Sequence, residues 1–151
     1  MSGKVLGLDL GEKTLGIAES DLLGIIAQGV ENFRFESCNF SKALERVKYY
    51  VERDEIKEIA LGLPLHMSGD ESDHSLMCRE FKEKIESALP DVKVVLIDER
   101  WTTKQATRYL LEADLSRAKR KKVIDKMAAV VILETYLAQR SYYGRKRKIY
   151  L

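Results

Sequence analysis

The run Val5-Leu6-Gly7-Leu8-Asp9-Leu10-Gly11 is apolar along its whole length except for one acid. Such a run reads as a buried strand, and a carboxylate within it is costly unless something compensates its charge. A metal ion is the usual compensation. Two further acids stand at comparable places. Glu99 follows the strand-like Val92-Lys93-Val94-Val95-Leu96-Ile97, and Asp125 lies on an apolar helix expected from Val123 towards Leu137. Three acids on three separate elements can converge on one point.

The rest of the pattern supplies a frame for that convergence. Lys4 to Leu10 and Thr14 to Ser20 predict two strands joined by a tight Gly11-Glu12-Lys13 turn, and Ile25 to Phe33 predicts a third, an antiparallel meander. A helix near Ser41 to Arg53 is built on Leu44, Val47 and Val51, and one near Asp73 to Leu89 on Met77, Phe81 and Ile85. Between them lies a short strand, Glu58 to Leu63. Beyond Ile97, Thr102 and Gln105 fit a capping box that starts another helix, and a final helix is expected from about Lys121 to Tyr142.

The order βββαβαβαα combines a meander with crossover units, so the expected fold is α/β, a mixed sheet with helices on both faces. Sites in such sheets form at the carboxyl ends of neighbouring parallel strands. With the fourth strand beside the first, Asp9 and Glu99 approach the same edge. Asp125 precedes Ala128 and Ala129 on one helix face, and small residues there let the helix come close to the sheet.

At 151 residues the chain fits one domain that buries about two thirds of the surface its unfolded form exposes. The expected division is a single domain over 1–142 and a basic tail over 143–151. No apolar stretch reaches the roughly 20 residues of a membrane span, and the start enters a strand directly, so a cytoplasmic protein is expected. Cys38 and Cys78 show no metal-ligand spacing and are expected as reduced, partly buried thiols.

Charge is unevenly distributed. Residues 117–151 hold eleven Lys or Arg against two acids, a net +9, whereas residues 1–116 hold fifteen bases and twenty-two acids, a net −7. Five of the six residues from Arg117 to Lys122 are basic, namely Arg117, Lys119, Arg120, Lys121 and Lys122. A polyanion would dock at this end of the chain, although a solvated charge run is the plainer alternative.

Oxygen-only ligands from carboxylates favour a hard ion, Mg²⁺ or Mn²⁺, and one or two such ions suit phosphoryl chemistry. Lys13, beyond Asp9, and Arg100, beside Glu99, are candidates for holding a phosphate. Each acid also has a local alternative. Glu99 can pair with a neighbouring base, Asp125 with Lys121 or Lys122, and Asp9 can cap a turn through Gly11. Asp98 competes with Glu99, since strand alternation turns only one of them to the site. His66 and His74 fall in the polar loop after Gly62-Leu63-Pro64-Leu65 and are left out of the site.

Four segments together resemble one family. They are Gly7-Leu8-Asp9-Leu10-Gly11-Glu12-Lys13-Thr14-Leu15-Gly16-Ile17-Ala18-Glu19-Ser20-Asp21; Gly62-Leu63-Pro64-Leu65; Asp98-Glu99-Arg100-Trp101-Thr102-Thr103; and Ile124-Asp125-Lys126-Met127-Ala128-Ala129. In order and spacing they resemble the YqgF family of RNase H-like proteins, also called the RuvX or Holliday junction resolvase-like family of pre-16S rRNA nucleases. The resemblance implies an RNase H-like three-layer fold with a five-stranded mixed sheet, order 3-2-1-4-5, strand 2 antiparallel. It also implies a divalent-metal phosphodiesterase site with Asp9, Glu99 and Asp125 in the three acidic positions. Departures are Thr14 where arginine is common, Trp101 in place of leucine, and Met67-Ser68-Gly69-Asp70-Glu71-Ser72, which only partly matches the family's glycine-rich loop.

The expected activity is therefore a metal-dependent endonuclease acting on structured nucleic acid, foremost precursor 16S rRNA, with a Holliday junction in DNA as the second substrate. A dimer most simply cuts a symmetric junction, and the sequence leaves monomer and homodimer open. A non-catalytic RNA-binding module is a third reading, which the presence of all three acids opposes. Asp-x-Gly between two strands also resembles the first phosphate motif of actin-like and sugar-kinase ATPases, but those bind nucleotide between two domains and need more than twice this length.

Overall fold

The computed structural model of the chain describes residues 3–100 and 127–141. Seven elements follow in order: β1 (Val5–Leu10), β2 (Thr14–Ser20), β3 (Ala27–Arg34), α1 (Phe40–Asp54), β4 (Glu58–Leu63), α2 (Asp73–Ala88) and β5 (Lys93–Asp98). Residues 127–141 are helical. The strands make one sheet in the order β3-β2-β1-β4-β5. β2 is antiparallel to β1 and β3, while β4 is parallel to β1 and β5. This is the mixed five-stranded sheet, strand 2 antiparallel, that the RNase H-like resemblance implied.

Strand alternation divides the apolar residues into two cores. On one face Leu6, Leu8, Leu10, Ile59 and Leu61 pack with Val47 of α1 and Phe81 and Ile85 of α2. On the other, Val5, Ala18, Ala60 and Ile97 pack with Ala129, Ile132, Leu133 and Tyr136 of the helical segment 127–141. Helices thus cover both faces. β1 is the central strand with apolar neighbours on each side, which explains its nearly unbroken apolar sequence.

Local chemistry sets the element ends. The Gly11 N–H donates to the Thr14 carbonyl at 2.7 Å and closes the β1–β2 turn. β3 starts at Ala27, later than the expected Ile25, because Asp21 Oδ1 accepts from the N–H groups of Ile25 and Ile26 and holds both in the turn. The helix α1 ends at Glu55, a residue in the left-handed region at φ 53°, whose N–H donates to the Val51 carbonyl. The start of α2 carries a capping box that the sequence reading did not pick out: Ser72 Oγ accepts from the Ser75 N–H and Ser75 Oγ accepts from the Ser72 N–H. The box expected at Thr102 and Gln105 lies outside the described residues.

Of the two thiols expected to be partly buried, Cys78 is buried but Cys38 is exposed, on a residue with positive φ beyond β3. Among the described residues, no helix is long and apolar enough to cross a membrane.

Candidate active site

The carboxyl ends of β1, β4 and β5 lie side by side. Asp9 is the penultimate residue of β1, on the same face as Val5 and Gly7, which is the face covered by segment 127–141. Its cross-strand partner in β2 is Gly16, which places no side chain beside it. Glu99 is the first residue beyond β5, and its N–H donates to the Leu63 carbonyl at 3.1 Å, extending the β4–β5 ladder by one step. The alternation that turns Ile97 to this face turns Glu99 there too.

The two acids meet. Burial, the charge of Asp9 and a hydrogen bond shared with Asp9 push the Glu99 carboxyl up to about 8. Two carboxyls in contact cannot both ionise freely in a partly desolvated site. Beneath them on α2, burial, with Glu99 and Asp9 adding to it, pushes the Cys78 thiol up, so it stays a protonated packing residue.

Two glycines make this meeting possible. A Cβ at Gly62 would stand 2.7 Å from the Glu99 carboxyl carbon and 2.6 Å from Ile132 Cδ1. A Cβ at Gly7 would stand 2.7 Å from Leu133 Cβ and 2.9 Å from the Ala129 carbonyl oxygen. The missing side chains let segment 127–141 press onto β1 and β4 and leave Glu99 its volume. Ala129, fully buried, is one of the small residues expected to permit that approach.

Asp98 takes a different role. It points away from the Asp9–Glu99 pair and binds Arg100, whose Nη2 and Nε lie 2.7 and 2.8 Å from Asp98 Oδ2 and whose N–H donates to Asp98 Oδ1 at 3.0 Å. The Arg100 guanidinium holds the Asp98 carboxyl below the usual carboxylate range. Arg100 Nη1 also donates to the Met67 carbonyl at 3.3 Å, tying the end of β5 to the turn at residues 66–70. Lys13 is exposed in the β1–β2 turn at this same end of the sheet.

His74 is the residue the sequence reading passed over. It sits in the first turn of α2, not in a loop, and its Nε2 donates to the carbonyl of Leu10, the residue after Asp9. No local pattern signals this contact, because it depends on how α2 docks on the end of β1. His66 caps the turn below through backbone bonds with Gly69 and Asp70.

Asp125, the third acid of the expected set, lies outside the described residues, as do Arg117, Lys119, Arg120, Lys121 and Lys122 and the expected tail over 143–151. Among the described residues, Asp9 and Glu99 are brought together, and no group of three possible metal ligands occurs there.

The profile of the RuvX family, described as Holliday junction resolvase, matches residues 3–139. A relative from Staphylococcus saprophyticus subsp. saprophyticus, named "Putative pre-16S rRNA nuclease", is 45% identical over 134 residues, covering 89% of this chain and 94% of that protein. Another of the same name, from Oceanobacillus iheyensis, is 46% identical over 137 residues, covering 91% of this chain and 99% of that protein. Among solved structures, Thermus thermophilus RuvC in complex with a Holliday junction substrate superimposes with a TM-score of 0.59 at 15% identity, over 92% of this chain and 96% of that one. The fowlpox virus resolvase bound to Holliday junction DNA gives a TM-score of 0.51 at 12% identity, over 90% and 97%. At these identities the structural likeness establishes the fold.

Proposed function

Because the chain belongs to the RuvX family of nucleases, we propose that it hydrolyses phosphodiester bonds of precursor 16S rRNA in the cytoplasm, at a divalent-metal site held by Asp9, Glu99 and Asp125. The observation that carries this reading is the contact between the Asp9 and Glu99 carboxyls at the carboxyl ends of parallel strands. The substrate follows the relatives named for pre-16S rRNA. The proposed organisation is one nuclease domain over 1–142 with a basic tail over 143–151.

The donor set fits a hard cation. It is made of oxygen atoms only, and its two described members repel each other as anions, so Mg²⁺ or Mn²⁺, as one or two ions, relieves the charge that otherwise traps a proton. Such an ion, when bound, supplies activation of water and neutralisation of the developing charge on phosphate. Asp125 is assigned as third ligand from its position in the sequence, four residues before Ala129, whose carbonyl approaches Gly7.

The described residues prepare the site in three ways. Gly16 and Gly62 leave the Asp9 and Glu99 carboxylates unobstructed. His74 fixes the carbonyl of Leu10, and so the end of the strand that carries Asp9. Arg100, anchored by Asp98 and the Met67 carbonyl, sets a positive charge at the rim, with Lys13 across the edge. Both cations are assigned to the phosphate backbone near the cut, and the basic residues Arg117, Lys119, Arg120, Lys121 and Lys122 to its flanks.

The second reading, resolution of a branched DNA junction, is favoured by the family's description as Holliday junction resolvase. One experiment separates the two: incubation with Mg²⁺ and either a precursor 16S rRNA segment or a four-way DNA junction. Cleavage of the rRNA at a defined position, with the junction left intact, is expected. Preferential cutting of the junction supports the second reading, and cleavage of neither contradicts both.

A further inference from the structure

The helices α1 and α2 both end beside the starts of β4 and β5, and between them lies a groove of about 540 Å³. That volume is within the ~300–1,000 Å³ range of binding sites. Val51, Ile56, Leu89 and Val92 give the groove an apolar floor, and the exposed Glu52, Glu55, Lys57 and Asp91 stand at its rim. Three acids against one base leave the rim negative, and the carboxyl ends of two helix dipoles add to that sign. The last turn of α2 has no basic residue, and Arg53 in the last turn of α1 is held by Asp54 at 2.8 Å. Since Ile56, Lys57 and Val92 precede β4 and β5, the groove lies at the end of the sheet opposite Asp9 and Glu99.

The helical segment 127–141 carries the chain to this same end. Ile132 Cδ1 lies beside Gly62, near the end of β4, whereas Tyr136 Oη and Arg140 Nη1 donate to Oε2 of Glu58, the first residue of β4, at 2.6 and 3.1 Å. The segment therefore runs from the carboxylate edge back to the start of β4, where Glu58 directly follows Lys57 of the groove. Beyond it the chain reads Tyr142-Tyr143-Gly144-Arg145-Lys146-Arg147-Lys148-Ile149-Tyr150-Leu151, past residue 139, where the match to the family profile ends. Ten residues reach up to ~33–36 Å when extended. Passing round the strand ends from the helix layer on one face to that on the other takes roughly 20 Å.

We propose that residues 145–151 dock in this groove of their own chain. The composition of the segment complements that of the groove: four successive cations face a negative rim, and Ile149, Tyr150 and Leu151 match an apolar floor. Exposed ion pairs hold weakly, so the apolar residues supply most of the grip and the cations set its direction. A tether this short gives an effective concentration in the millimolar range, so modest contacts suffice. The same negative rim repels phosphate, so nucleic acid does not fit the groove.

Docked there, the tail closes the end of the sheet away from Asp9 and Glu99 and leaves their edge open. Its four cations face the acidic first part of the chain, so Arg117, Lys119, Arg120, Lys121 and Lys122 remain for the phosphate backbone.

Carbodiimide cross-linking of the full chain, read by mass spectrometry on an equal mixture of ¹⁵N-labelled and unlabelled protein, tests this directly. Amide links from Lys146 or Lys148 to Glu52, Glu55 or Asp91 are expected, each within one isotope. Ile149→Ser with Leu151→Ser leaves every linkable lysine and acid in place and should lower the yield ~tenfold or more. Arg145→Gln with Arg147→Gln, a second variant that keeps both lysines, should lower it as well. Absence of these links overturns the proposal, as does a yield undiminished in the serine variant. Links that join the two isotopes also overturn it, since they place the tail of another copy in the groove. The assay does not depend on cleavage, so its outcome is independent of the proposed substrate.

Discussion

At the scale of single residues, the molecule is organised around two acids that would repel each other if both were ionised. Glu99 titrates at about 8 because of burial and the neighbouring Asp9. A carboxyl raised in the folded state above its unfolded value near 4.5 binds its proton more tightly when folded. Its contribution to stability is complete below that unfolded value and is lost as pH climbs through about 8. Without divalent ions the melting temperature is therefore expected to fall between pH 5 and pH 8, each ~1 kcal/mol appearing as about 2–4 °C. Mg²⁺ should restore more of it at pH 8 than at pH 5. Glu99→Gln should flatten this pH dependence and abolish cleavage; a melting temperature that ignores pH and Mg²⁺ in the wild-type chain contradicts the pairing. Asp9 was legible from sequence because a lone acid inside an apolar run has few explanations, whereas strand alternation admitted only one of Asp98 and Glu99 without choosing between them, and the fold turns Glu99 towards Asp9. His74 was not legible, since only the docking of α2 on Leu10 reveals it. The structure gives Arg100 an engagement the sequence did not show, the clamp formed with Asp98 and Met67.

At the scale of elements, two glycines decide how closely the helical segment 127–141 lies on the sheet. Gly7→Ala would drive a methyl into Leu133 Cβ and the Ala129 carbonyl, neither of which is the free end of a flexible chain. A loss of about 1–3 kcal/mol in chemical denaturation is expected from such overpacking. Gly62→Ala meets Glu99 itself. It should leave most of the fold but weaken Mg²⁺ binding by calorimetry ~tenfold or more, and unchanged affinity would remove Glu99 from the ligand set. The periodicities exposed the strands and helices well because each strand has two apolar faces or one, and each helix has one stripe. Boundaries were harder to see. The start of β3 depends on an acid four positions upstream, Asp21, that captures two backbone N–H groups. The start of α2 depends on a serine pair, Ser72 and Ser75, in place of the more familiar Ser and Glu.

At the scale of the whole molecule, an acidic first part carries the carboxylate edge proposed to hold a metal ion, and a basic last part is assigned to the substrate. Replacing Arg117, Lys119, Arg120, Lys121 and Lys122 by neutral residues should weaken RNA binding and reduce the slope of log affinity against log salt by up to about 3.5 for a single strand. An unchanged slope would return that run to a solvated face. The mixed sheet with helices on both faces was legible because a meander followed by crossover units combines antiparallel and parallel pairing, whereas its strand order was implied by the family resemblance alone. In the aliphatic turn at Leu22 to Ile26, Ile25 and Ile26 read as the beginning of a strand, and only the fold shows them facing solvent beside Leu22 and Leu23. The central claim is that Asp9 belongs to the chemistry and not to the grip on substrate. Its most direct test measures binding and Mg²⁺-dependent cleavage of one precursor rRNA by the wild type and by Asp9→Asn. Affinity within about twofold and cleavage reduced by at least ~10³ are predicted, as expected when a reaction's metal ligand is lost. Cleavage at the wild-type rate in Asp9→Asn would contradict the account.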